Sequence, residues 1–259
     1  MTEDRFNKIF NAFIFGGMLL SVLVATVMKF DEPGAKTGLL VLAAGGAVMG
    51  VCNALFCANG SILSFIFGVV NVSITCVLMW DSGVMGNFAL HLLYFLPMQF
   101  IGWWQWKKRA ASPEKGTKVK ARRLGWKNLL WIALAYVAGV AVLFWVLLRV
   151  DIAKGLEPDY LKIAMDAAIV GANIVGQVLL SLAFMDQWFF WIVVDICSVI
   201  LWARVLGSQA GATYAIVSLI KYSFYLLNAF NGLRLWMRLS APASPAEPDS
   251  ERQTGLAEG

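Results

Sequence analysis

A three-span hydrophobic unit occurs twice in this chain, on either side of a single span that follows a basic loop. Apolar stretches long enough to cross a bilayer core, about 20 residues each, read at 9–28, 38–57, 62–80, 85–104, 129–147, 163–184, 188–206 and 214–236. A chain of 259 residues that is 59% hydrophobic and 14% charged has too little polar material to cover a soluble domain of that size. The fold class is therefore all-α, a polytopic membrane protein of eight helices.

The repeat is visible residue by residue. Ser64-Phe-Ile-Phe-Gly-Val-Val-Asn71-Val in the third span aligns with Trp188-Phe-Phe-Trp-Ile-Val-Val-Asp195-Ile in the seventh, so Asn71 and Asp195 hold the same place. The fourth span, with Gln99, Gly102 and Trp106, matches the eighth, with Gly232 and Trp236, and Asn53 in the second span falls opposite Gln177 in the sixth. Four spans separate equivalent helices, so the two units have the same membrane orientation and form parallel repeats about an axis along the membrane normal. The chain divides into an extra first helix and its loop (1–37), a first repeat (38–106), a basic loop with linking helix and outside loop (107–160), a second repeat (161–239) and a Pro-rich polar tail (240–259) that reads as disordered.

Orientation follows from the cations. With both termini in the cytoplasm, the N-terminus, the 107–127 loop and the C-terminal end from Arg234 onward hold 2, 9 and 3 Lys/Arg against 6 in the outside loops, and Lys221 lies within a span. That excess places both termini inside. The basic run from Lys107 to Lys127 is read as a topology determinant ahead of a nucleic-acid contact. The first span has flanking Arg5 and Lys8 but no small-residue cleavage site near Lys29, and is read as a retained helix. Cys52, Cys57, Cys76 and Cys197 all fall inside spans and read as small packing residues.

Polar residues within spans are costly there and usually face the bundle interior. On the seventh helix Trp188, Trp191, Asp195, Ser198 and Trp202 recur at steps of three and four, which places two indoles and a carboxylate on one stripe. Lys221, Tyr225, Asn228 and Gly232 form a second stripe with Asn231 beside it, and Asn173, Gln177 and Ser181 a third. Such a lining holds a flat heterocycle between indole rings, hydrogen-bonds a polyhydroxylated group, and attracts a cationic ring through cation–π contact. Each residue also has a plainer role. Trp188 and Trp191 are equally readable as interfacial belt residues, Trp103, Trp104, Trp106 and Trp236 more readily so, Asn173 and Gln177 as links between helices, and Asp195 with Lys221 as a mutually neutralising pair. The lone His91 reads as a buried hydrogen-bonding residue, and Gly46-Ala-Val-Met-Gly50 and Gly207-Ser-Gln-Ala-Gly211 as close-packing motifs.

The chain has no HExxH, GxSxG or Walker motif and a single histidine, so neither an intramembrane enzyme nor an ATP-driven pump is indicated. An ion channel would need a ring of charges or carbonyls around its pore; the aromatic stripe favours a larger solute.

Together, the Trp188-Phe-Phe-Trp191 element with its Ile-Val-Val-Asp195 continuation, the echo Phe67-Gly-Val-Val-Asn71-Val, the Gln99-Phe-Ile-Gly102-Trp-Trp-Gln-Trp106-Lys-Lys ending and Asn231-Gly232-Leu-Arg234-Leu-Trp236 resemble the PnuC family of bacterial vitamin transporters, over residues 38–238. The resemblance implies a carrier in the bacterial inner membrane, related in architecture to SWEET transporters. It implies facilitated diffusion without ion coupling or cofactor, trapping of the vitamin by a cytoplasmic kinase, and a homotrimer embedded in membrane lipid. The implied substrate is nicotinamide riboside, and the WxxW element is similar to that branch of the family; relatives carry thiamine or riboflavin. Asp195 and Gln99 depart from the Asn expected of nicotinamide riboside relatives. The substrate-binding set is then Trp188, Trp191, Asp195, Asn71, Gln99, Gln177, Lys221, Tyr225, Asn228 and Asn231. A carrier for thiamine or another vitamin, or a channel-like or sensing membrane protein, are the alternatives.

Overall fold

The computed structural model describes residues 3–30, 36–109, 118–207 and 212–241. These residues fold as helices: α1 (Glu3–Phe30), α2 (Thr37–Ala58), α3 (Leu63–Asp81), α4 (Met85–Leu90), α5 (Leu96–Lys108), α6 (Trp126–Ala153), α7 (Tyr160–Ser181), α8 (Gln187–Gly207) and α9 (Ala212–Leu239). Among the described residues six helices, α1, α2, α3, α6, α7 and α8, are long and apolar enough to cross a membrane. The predicted spans 85–104 and 214–236 fall on the α4–α5 run and on α9; α9 carries Lys221, Arg234 and Arg238, which lower its hydropathy.

Between α4 and α5 the helix widens into a π-helical turn, His91–Phe95, in which the Leu96 N–H reaches back to the His91 carbonyl. The turn sits directly before Pro97, which has no N–H for the carbonyl four residues earlier. His91 is half-buried, with Nδ1 2.8 Å from the Asn87 carbonyl oxygen.

The packing order positions the central site. Helices α2, α3 and α5 pack in sequence, and so do α7, α8 and α9. The two sets meet through α2 against α9 and α5 against α7, so the first helix of each set lies on the third helix of the other. Helix α1 closes against α2 and α9. Helix α6 packs on α7 and has no buried residue, with Trp126, Trp131 and Trp145 exposed on it.

The basic 107–127 stretch has a structural role that its charge alone does not reveal. Helices α2 and α7 both end in a left-handed residue, Gly60 at φ +68° and Ala183 at φ +60°, the conformation that terminates many helices. For Ala183 that conformation costs roughly 1–2 kcal/mol. Residues 118–122 strap the two turns together: Val119 N–H donates to Gly60 O at 2.9 Å, Arg122 N–H to Ala183 O at 2.7 Å, and Met185 N–H to Arg122 O at 2.8 Å. Asp186, buried, accepts from the Leu124 N–H at 2.8 Å. The apolar side of the strap, Val119 and Ala121, is buried in a cluster with Cys57, Phe65, Trp106, Trp188 and Trp236. Residues 110–117 of this loop, Ser208–Gly211 of the second close-packing motif, and the tail from 242 onward lie outside the described residues.

Candidate functional site

A cavity of about 500 Å³ lies between α2, α3, α7, α8 and α9, with Val22 of α1 on its edge. Eight of the ten residues singled out from the sequence line it: Asn71, Gln177, Trp188, Trp191, Asp195, Lys221, Tyr225 and Asn228. The amphipathic spacing of α8 is the reason, since steps of three and four bring Trp188, Trp191, Asp195 and Ser198 to one side of the helix.

The floor, at the strap end, is aromatic. Trp106 Nε1 donates to Leu180 O at 2.8 Å, and Trp236 Nε1 donates to Cys57 O at 2.9 Å. Each indole at the end of one helix set thus ties itself to the last turn of a helix of the other, adding a second donor to carbonyls that already accept the backbone N–H of Ala183 and of Gly60. The rings of Trp106 and Trp236 lie 5.2 Å apart, with Phe65 edge-on to Trp106 at 4.8 Å and Trp188 edge-on to Trp236 at 6.2 Å, so Trp106 and Trp236 are buried between the helix sets and not in an interfacial belt, while Trp103 and Trp104 are exposed. Gly232 makes this possible: a Cβ there would come within 2.4 Å of the Trp188 ring. Trp188 is only 3% exposed, and its Nε1 has no hydrogen-bond partner.

The walls are polar and incompletely paired. Trp191, whose ring lies 3.3 Å from where a Cβ on Gly176 would stand, donates Nε1–H to Gln187 Oε1 at 3.2 Å. Asn71 Nδ2 donates to Gly46 O at 2.7 Å, and Gln177 Nε2 to Ser181 Oγ at 3.4 Å. Asn228 Nδ2 donates to Ala54 O at 3.2 Å, while its Oδ1 is buried without a partner. Lys221 places its ammonium 4.6 Å from the centre of the Tyr222 ring. Among the described residues the ion pairs Lys36–Asp81, Lys162–Asp166 and Arg204–Asp159 join half-exposed side chains, and none joins Asp195 to Lys221. Asp195 is nine-tenths buried and turns its carboxylate into the cavity.

Two expected residues lie elsewhere. Gln99 is buried in the packing of α5 on α3, where its Oε1 fills the space left by the missing side chain of Gly68. Asn231, one step off the α9 stripe, faces α1: its Nδ2 lies 3.4 Å from Asn11 Oδ1 and its Oδ1 accepts from Arg234 at 2.8 Å. A span residue's polarity signals burial, and in these two cases the burial is between helices. Asn53, Asn173, Ser198 and Tyr222 also line the cavity. The first three already stood on the polar stripes or repeat positions of the sequence; Tyr222 lies three residues, one helical step, before Tyr225 and was readable from that spacing. The four cysteines are free thiols.

A bundle of apolar helices around a solute-sized cavity with aromatic and polar walls is the architecture of a membrane transport protein. The model of a family described as nicotinamide mononucleotide transporter matches residues 40–238, and the chain belongs to that family, the PnuC transporters. A nicotinamide riboside transporter PnuC of Neisseria mucosa is 32% identical over 200 residues, covering 76% of this chain and 72% of that protein. One from Haemophilus influenzae is 28% identical over 192 residues, covering 74% and 77%. The crystal structure of a vitamin B3 transporter PnuC superposes with a TM-score of 0.63 at 27% identity, covering 92% of both chains.

Proposed function

We propose that this chain carries nicotinamide riboside across the bacterial inner membrane through the central cavity. The observation that carries the reading is the wall of α8, where Trp188 and Trp191 share the cavity with an Asp195 carboxylate that forms no ion pair among the described residues. Nicotinamide riboside brings a cationic pyridinium, a carboxamide and a ribose. The indoles attract the cationic ring, Asp195 balances its charge, and Asn71, Gln177, Tyr225, Asn228 and Lys221 offer hydrogen bonds to carboxamide and ribose. The names of the relatives support this substrate. The phosphorylated mononucleotide fits the lining less well, since Lys221 is the one cation among the lining residues and an unpaired carboxylate shares the space.

The reciprocal packing of α2 on α9 and α5 on α7 supports a pair of parallel repeats that rock about the cavity. With both termini cytoplasmic, the aromatic floor and strap face the cytoplasm, and transit inward requires the Trp106–Trp188–Trp236 layer to part. The spans hold no ladder of carboxylates to relay protons, and among the described residues Asp195 is the sole carboxylate lining the cavity. Transport therefore equilibrates the free vitamin, net uptake follows from phosphorylation by a cytoplasmic kinase, and the carrier works as a homotrimer. Proteoliposome uptake of labelled nicotinamide riboside, competed with thiamine and riboflavin, tests the substrate; preferential competition by thiamine would transfer the site to that vitamin. Concentration of free substrate under an imposed proton or sodium gradient, with no kinase present, would refute facilitated diffusion.

A further inference from the structure

Residues 118–122 cross from one helix set to the other at the end of the bundle that the cations turn to the cytoplasm. Their two anchor points are equivalent. Cys57 and Gly60 at the end of α2 correspond to Leu180 and Ala183 at the end of α7: the first of each pair accepts an indole Nε1–H from the opposite set, and the second accepts a backbone N–H from the strap. A segment held at matching points of two packed sets spans the line between them, and the cavity lies on that line. Val119 and Ala121 are buried in one cluster with Trp106, Trp188 and Trp236, and neither lines the cavity. The aromatic layer therefore stands between strap and cavity.

The two anchorages are unequal. On the α7–α8 side Arg122 donates its N–H to Ala183 O at 2.7 Å and accepts from the Met185 N–H at 2.8 Å, its guanidinium carbon lies 4.3 Å from the centre of the Phe184 ring, and the Leu124 N–H donates to Asp186 Oδ2 at 2.8 Å. The Leu124 side chain packs with Ala172, Leu179 and Phe190, and the chain continues into α6, which packs on α7. On the other side, among the described residues, the Val119 N–H donates to Gly60 O at 2.9 Å and the Lys120 N–H to Arg109 O, past the end of α5, at 3.2 Å. Backbone bonds contribute similar net amounts, so separation of the two sets breaks the Gly60 side first.

We propose that residues 118–122 are a cytoplasmic clasp that travels with α7 and α8 and lets go of the Gly60 turn before the aromatic layer parts. The clasp rests on the reading of two helix sets that rock about the cavity.

Ser61 and Lys118 face each other in an antiparallel bridge on the α2 side, and Arg122 and Phe184 in a parallel bridge on the α7 side. Residues paired in this way lie within the Cα separation that a disulfide spans. In proteoliposomes, the Ser61→Cys/Lys118→Cys protein should carry nicotinamide riboside when reduced, lose uptake when oxidised, and regain it on reduction, which reports an intact fold. Arg122→Cys/Phe184→Cys should carry substrate at the same rate in both redox states. Single-cysteine variants control for bridges to the native thiols. Uptake that ignores the first disulfide overturns the clasp, and equal loss with both disulfides overturns its release from the Gly60 side.

A second readout needs no substrate. Cys57, buried in one cluster with Val119, should react faster with a membrane-impermeant maleimide supplied at the cytoplasmic face when the clasp is loosened. Val119→Pro removes the N–H that Gly60 O accepts and should speed alkylation about fivefold, the scale of one net backbone hydrogen bond; the first disulfide should slow it. Alkylation that ignores both changes overturns the clasp. Alkylation that follows them, in a protein whose reduced form carries no nicotinamide riboside, leaves the clasp standing and refutes the substrate reading instead.

Discussion

The floor and the walls of the central cavity use similar residues in opposite states. At the floor, Trp106 and Trp236 are fully buried and each indole N–H has a backbone acceptor in the opposite helix set. Along the walls, Asp195 has no ion-pair partner among the described residues and the buried Asn228 Oδ1 no hydrogen-bond partner, and Trp188, where floor and wall meet, leaves its Nε1 without one. Leaving such atoms unpaired destabilises a fold by about 1–3 kcal/mol each. Satisfied aromatics at the floor hold the two helix sets together; unsatisfied polar groups on the walls are what a polar, cationic ligand would complete. Substitutions at the two places should therefore move different observables.

The largest effect is expected at the floor. Trp106→Ala or Trp236→Ala removes a fully buried indole and should cost about 3–5 kcal/mol of stability, read as a lower melting temperature in detergent. Trp236→Phe, which keeps most of the packing but not the bond to Cys57 O, should cost about 1 kcal/mol. Substrate preference among the folded molecules should not change. Wild-type melting in both Ala variants would dissolve the contrast, because the floor would then bear no more of the fold than the walls.

Gly232 lies where floor and wall meet. Gly232→Ala drives a Cβ into the Trp188 ring, and such overpacking costs about 1–3 kcal/mol. The ring can relieve the clash by tilting into the cavity, so both melting temperature and substrate affinity should fall. Gly45→Ala, with open space around the new methyl, is the control and should change neither. A Gly232→Ala protein that melts lower and binds normally would place Trp188 wholly in the floor.

Much of this arrangement was legible beforehand. Apolar period and length located the helices, because a bilayer admits few alternatives, and the α8 stripe was legible because a helix converts spacing into a face. The π-helical turn before Pro97 was not, since the sequence shows the missing N–H but not how the chain re-registers around it. Gln99 and Asn231 show a second limit. Polarity in a span indicates burial without saying whether the neighbour is a cavity or another helix, and only the third dimension set Gln99 on Gly68 and Asn231 on Asn11. The strap was hidden because charge dominates 118–123 while two small residues, Val119 and Ala121, do the packing.

On the walls, Trp191→Ala should weaken nicotinamide riboside binding by about 1–2 kcal/mol, the scale of a desolvated cation–π contact. It should alter melting less than the floor variants, since its one hydrogen bond runs to Gln187 one turn away. Phe at the same position should keep more affinity than Ala. Calorimetry showing unchanged affinity in Trp191→Ala would assign this indole to packing and shrink the ligand-facing wall.

The smallest expected effect is the most discriminating. If Asp195 and Lys221 held α8 to α9 as an ion pair, removing one partner would strand the other and cost about 3–5 kcal/mol. They line the same cavity without pairing, so Asp195→Asn, Lys221→Met and the double variant should show stability effects that add, with a coupling within about 0.5 kcal/mol. Affinity should behave differently. Asp195→Asn removes the negative charge facing the substrate and should weaken the cationic nucleoside by about tenfold more than an uncharged isostere of the same shape. Lys221→Met removes a like charge from the cavity, so it should not weaken the cation electrostatically. A stability coupling of several kcal/mol with unaltered preference for the cation would mean that the carboxylate serves the helix pair, and the walls would then be as self-sufficient as the floor.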